Sequence, residues 1–117
     1  MKPQYLSRPI TVKNCTIPNR LVMPPMATFK LSENFKITDK VLDYYDQKAK
    51  GGYLGLIITE HTYVTKAGIA HPGQLSIAED ADIEGYKKLA EVIHKHGSIA
   101  VASPRKPEAK ALLRISL

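Results

Sequence analysis

Two stretches hold the residues best placed for chemistry, Pro24-Pro-Met-Ala-Thr28 and the start of the long loop after Thr59, with His61. Each closes an apolar run of strand length, Leu21-Val-Met23 and Leu54-Gly-Leu-Ile-Ile-Thr59. Loops leaving the C-terminal ends of buried parallel strands are where α/β proteins gather ligand contacts. Read alone, Pro24-Pro25 is a chain-stiffening turn and Met26 a gap-filling core residue. Other candidate groups are weaker. His94 and His96 stand two apart on an expected helix and face different ways, so they suit the helix C-terminus better than a shared metal ion. His61 and His71 could pair as ligands or proton carriers, but no carboxylate or cysteine pattern accompanies them. Gly51, Gly52 and Gly55 have the wrong spacing for a phosphate-cradling loop. The single cysteine, Cys15, has no neighbour that would lower its pKa and reads as a small structural residue.

The elements that must position the two stretches follow from the period of the apolar residues. Ile10-Thr-Val12 and Thr16-Ile-Pro18 flank Lys13-Asn14 as a hairpin, and strands are expected near 21–26, 54–59 and 98–102. Thr38 can cap a helix near 39–50 whose apolar face is Val41, Leu42, Tyr45 and Ala49, with Gly51-Gly52 as its stop. Of the adjacent tyrosines, one should pack and the other face solvent. A second helix near 82–96 carries Tyr86, Leu89, Ala90 and Ile93 at i, i+3, i+4 and i+7 and ends at Gly97. Between strand two and this helix lies a loop of about twenty residues, long enough to suggest a function. The continuous run at 54–59 is the pattern of a strand buried on both faces.

Strand, helix, strand, helix, strand builds a parallel sheet with right-handed crossovers, in either an open doubly wound form or a closed (β/α)8 barrel. The open dinucleotide-binding form wants a Gly-rich first turn, where this chain has Pro24-Pro-Met-Ala-Thr28, which favours the barrel. The sheet order should be sequential, with both helices on one face. Composition adds bounds. The chain has 117 residues, 44% hydrophobic and 24% charged, as in an ordinary globular domain. No stretch has the length of a membrane span or the form of a secretory signal, so the expected location is cytoplasmic. About half of the net charge of +6 sits in residues 103–117. The body therefore has an ordinary mixed surface and no nucleic-acid partner is expected, a basic-tail contact being the weakest alternative.

The series IPNRLVMPPMAT, YYDQKAKGGYLGLIITEHTYV and HPGQLSIAEDADIEGYKKLAEVIHKHGSIAVA resembles the opening of the Old Yellow Enzyme family of FMN-dependent NADH:flavin oxidoreductases. The resemblance covers nearly all of residues 6–102. It implies a (β/α)8 barrel of which this chain supplies the first three parallel strands, with the hairpin closing the barrel bottom. It also implies FMN as cofactor and NAD(P)H as electron donor. By the same resemblance Pro25, Met26, Ala27 and Thr28 lie along one side of the flavin, largely through main chain. Ala27 stands where many relatives keep a Thr or Cys that bonds the flavin, a role that alanine lacks. His61 stands where relatives have a small residue beside the flavin, and its backbone is credited with the contact.

In the family the third strand leads into Gln-x-x-His-x-Gly, whereas this chain reads Ser103-Pro-Arg-Lys-Pro-Glu-Ala-Lys110. Residues 1–102 are therefore expected to be family sequence and 103–117 an unrelated basic extension, of the kind a frameshift gives. From Glu108 the extension has helix-forming composition. The implied function is that of an N-terminal piece of a flavin oxidoreductase, inactive alone because the catalytic and phosphate-binding residues come from later strands. The alternative is a small α/β module that pairs with a second chain, or with itself through unpaired strand edges.

Overall fold

Ile10–Val12 (β1) and Cys15–Ile17 (β2) pair antiparallel, Ile10 opposite Ile17. Lys13 takes the left-handed corner of the turn at φ 54°. These elements belong to a computed structural model that describes residues 3–29 and 31–105. The expected helix beyond Pro107 lies outside the described residues.

The second sheet is parallel and centred on Leu56–Tyr63 (β4). Val22–Met23 (β3) pairs with Leu56 and Ile57, and Ile99–Arg105 (β6) pairs with β4 from Leu56 to Tyr63. The order β3, β4, β6 is the sequential one expected of a barrel wall. β3 is only two residues long because Pro24 and Pro25 offer no N–H to a ladder.

Three expectations change. β4 runs four residues past Thr59, through Glu60, His61 and Thr62 to Tyr63. β6 continues to Arg105, so Ser103, Pro104 and Arg105 pair with His61, Thr62 and Tyr63. The long loop also contributes Leu75–Ser76 (β5), parallel to Thr62 and Tyr63. Since β6 holds one edge of β4 throughout, β3 and β5 share the other edge, one after the other.

Asp39–Ala49 (α1) begins at Thr38, whose Oγ1 accepts from the Val41 N–H at 3.4 Å, and ends before Gly52 at φ +68°. Ile83–His94 (α2) buries Tyr86, Leu89, Ala90 and Ile93 as its spacing predicts. Both helices pack on the same sheet face, where Val41, Tyr45, Ile57, Leu89, Ile93 and Ala100 form the core. Tyr45 is buried and Tyr44 half-buried, their rings edge to face at 5.1 Å. The opposite sheet face differs from the two-sided burial expected of β4. Leu56, Ile58, Ile99 and Val101 are half-buried there, and Val22 is 47% exposed.

Candidate functional site at the strand C-termini

The β4 ladder slips once. Ile58 pairs with Val101 and His61 with Ser103, so Thr59 and Glu60 together face Ala102 across a β-bulge. A bulge leaves a backbone group without a ladder partner and shifts the phase of the side chains after it. Both consequences are visible. The Glu60 N–H donates to the Tyr45 hydroxyl of α1 at 2.8 Å. Glu60 becomes a buried residue, 1% exposed, and His61 turns outward.

The Glu60 carboxylate is met by the segment that follows β3. The Thr28 hydroxyl donates to it, 3.1 Å from Oε1 and 3.0 Å from Oε2, and the Thr28 N–H donates to Oε2 at 3.3 Å. Among the described residues no cation forms an ion pair with Glu60. Burial pushes its carboxyl above the ordinary carboxylate range, against the lowering pull of the Thr28 donors and of Tyr45. A second fixture lies one residue on. Phe29 adopts φ 59°, a left-handed conformation uncommon for an aromatic residue. Its carbonyl lies so close to Gly73 that no side chain fits at that position, and its ring meets that of His71 at 4.7 Å. The Ser32 hydroxyl closes the same corner on the Gly73 carbonyl at 2.7 Å.

Of the five site residues expected from the sequence, Thr28 is thus bonded to the residue preceding His61. Pro25 and Ala27 are half-buried, and Met26 is 56% exposed. His61 is exposed on β4 opposite Ser103. Sequence reasoning missed Glu60 and Tyr45 as the parts that join the two stretches. The available signal was a carboxylate at the end of an otherwise apolar strand run, which is expensive to bury without a purpose. Elsewhere, His96 bonds Asp46 at 2.7 Å and so ties the end of α2 to α1. Among the described residues no three His, Cys, Asp or Glu side chains gather as a metal site, and no helix is long and apolar enough to cross a membrane.

Residues 5–103 match the NADH:flavin oxidoreductase / NADH oxidase family. The chain belongs to that family. It is 39% identical over 104 residues to the probable NADH-dependent flavin oxidoreductase YqiG of Bacillus subtilis, a match covering 86% of this chain and 27% of the relative. Over 88 residues it is 39% identical to the NADH oxidase of Thermoanaerobacter brockii, covering 74% of this chain and 13% of that protein. Among solved structures, Old Yellow Enzyme from Pichia sp. AKU4542 superposes with a TM-score of 0.76 at 35% identity, covering 86% of this chain and 26% of that one. The old yellow enzyme homologue from Zymomonas mobilis does so with a TM-score of 0.75 at 28% identity, over 85% and 27%. The chain therefore spans about a quarter or less of the length of the relatives it matches. Its fold is part of a (β/α)8 barrel, with β3, β4 and β6 as three consecutive barrel strands, and the family is one of FMN-dependent NAD(P)H oxidoreductases.

The first stretch has the open apolar surface that one side of an FMN ring would need. Met26, Pro25, Ala27 and Thr28 offer partly open apolar surface and main chain, held from behind by Glu60 and Gly73. Neither stretch carries a Lys or Arg for the phosphate.

Proposed function

We propose that this chain forms one wall of the flavin site of an FMN-dependent NAD(P)H oxidoreductase. The observation that carries the reading is the Thr28–Glu60 link, which fixes a partly open apolar segment beside β4 in a chain of this family. FMN, when bound, would supply hydride transfer between NAD(P)H and an acceptor such as an activated alkene. The chain's own residues bind and orient. Main chain of Pro25, Met26, Ala27 and Thr28 would hold the ring from one side, and the exposed Met26 side chain would shield it from water. Thr28 has its N–H and hydroxyl engaged by Glu60, so it contributes position more than a free donor. Ala27 brings no hydroxyl or thiol to tune the flavin. His61 contributes backbone beside the ring.

The phosphate and the substrate oxygen require donors from further barrel strands, so the 117-residue chain alone binds FMN weakly and turns over nothing. Residues 103–117 are an extension of separate origin in this reading, supported by the end of the family match at residue 103. The partners are FMN and NAD(P)H, with no nucleic acid, and the location is the cytoplasm. The outer edges of β3 and β6 favour self-association, which sedimentation velocity at several concentrations would register. The flavin reading is tested by adding FMN to the ¹⁵N-labelled chain. Amide shifts concentrated at 26–28 and 61 support it, and shifts absent or scattered over the surface refute it.

A further inference from the structure

Glu60 is a buried carboxylate with no ion-pair partner among the described residues, an arrangement that proteins avoid because the desolvation cost is met only by specific donors. The hydrogen-bond partners that hold this residue converge from two other elements. Thr28 brings an N–H and an O–H from the segment after β3, and the Tyr45 hydroxyl of α1 accepts the neighbouring Glu60 N–H. The bulge is what makes this possible. Without the extra residue opposite Ala102 the side chains of β4 beyond Thr59 would keep their earlier alternation and the carboxylate would not meet Thr28 from the buried side. A non-polar residue in this place would stabilise the sheet at least as well, so general stability does not account for the acid.

We propose that Glu60 is a positioning residue for the flavin wall. Its carboxylate, presented by the β4 bulge and braced through Tyr45, clamps the Thr28 end of Pro25–Thr28 so that the segment is ordered before any ligand arrives. Ordering a binding segment in advance removes an entropic cost from the binding step, so the clamp acts on affinity through Thr28 without touching the ligand. The proposal rests on the flavin reading above, and two independent readouts keep them apart.

The first readout is amide hydrogen exchange of Thr28 in the ligand-free 117-residue chain. Its N–H donates to a carboxylate, so Glu60→Gln should speed its exchange about tenfold, the scale of one hydrogen bond to a charged group. The second is the FMN concentration that half-saturates the amide shifts at residues 26–28. Glu60→Gln and Thr28→Val should each weaken it about tenfold, and the double variant should be no weaker than the worse single one. Thr28→Ser, which keeps both donors, should stay near wild type. Ile93→Ala, which loosens the core away from the segment, should lower stability and leave the half-saturation point in place. The clamp is overturned if Thr28 exchange is unchanged in Glu60→Gln, or if the Glu60 and Thr28 effects add independently. Should FMN shift none of the wild-type segment amides, the flavin reading falls, while Thr28 exchange still decides whether the clamp exists. Thr28→Val against Thr28→Ser carries the same contrast with the buried carboxylate intact.

Discussion

At Tyr45 one hydroxyl stands between a bulged strand and an orphaned backbone N–H. Removing it in Tyr45→Phe leaves the Glu60 N–H buried without an acceptor, which costs about 1–3 kcal/mol. Urea unfolding of the two forms should show that loss with an unchanged denaturant slope. Two carboxylates then respond to pH in opposite senses. Asp46 is held at about 2 by Lys95 and, next, by His96. Its folded value lies below its ordinary 3.8, so the stability it contributes is complete above that value and disappears as the pH falls towards 2. Glu60 titrates above its ordinary 4.5 because it is buried, so the folded chain retains its proton longer than the unfolded one. Its contribution is complete below 4.5 and is lost as the pH rises through the raised folded value. In thermal unfolding across pH, Asp46→Asn should flatten the acid limb, and Glu60→Gln should remove the decline on the other side. High salt should shrink the Asp46 effect, which belongs to a partly exposed pair, more than that of Glu60.

Elements meet here through glycines, for two separable reasons. At Gly73 the obstacle is a neighbour: a β-carbon would collide with the Phe29 carbonyl, so Gly73→Ala must push the segment after β3 out of place. The expected loss is about 1–3 kcal/mol, with the amide shifts of residues 26–29 moving most. At Gly97 an added β-carbon would meet nothing within 4 Å beyond its chain neighbours, and the demand is conformational, φ +90°. Gly97→Ala should therefore cost about 1–2 kcal/mol while disturbing only its own turn, as circular dichroism melts and local shifts would report. The same distinction explains what could be read in advance. Helix α2 was legible because Tyr86, Leu89, Ala90 and Ile93 carry their period in consecutive turns, and α1 because Thr38 and Gly52 mark its ends locally. The true end of β4 was not, since Glu60-His-Thr-Tyr63 has no apolar alternation and owes its strand form to pairing with β6 and β5. The Thr28–Glu60–Tyr45 link was hidden for the same reason. Its members are 32 and 15 positions apart, and a slip in register against a third strand brings them together.

For the whole molecule the decisive fact is that one sheet face is covered and the other is half open. Helices α1 and α2 bury Ile57 and Ala100, while Leu56, Ile58, Ile99 and Val101 on the other face keep partial exposure. In a closed barrel that second face is the packed interior, filled by layers of side chains from all eight strands, and no strand edge is left unpaired. Three consecutive strands supply one arc of it. The outer edges of β3 and β6 are free among the described residues, and the wall that would meet a flavin stands alone. FMN bound here would gain contacts on one side of its ring only and stay hydrated on the other, so its affinity should be low. The purified 117-residue chain should accordingly bind FMN no better than weakly and oxidise NAD(P)H no faster than free FMN does. Joining residues 1–102 to a family barrel continuation that begins with Gln in place of Ser103 should yield a yellow protein with bound flavin and raised thermal stability, because the interior face and both edges are then covered. Absorbance of the purified proteins near the flavin bands, with NADH oxidation measured against an equal concentration of free FMN, checks both halves. A 117-residue chain that purifies yellow and turns over NADH would mean that copies of the same arc close the site between them, and its oligomeric state would have to show it.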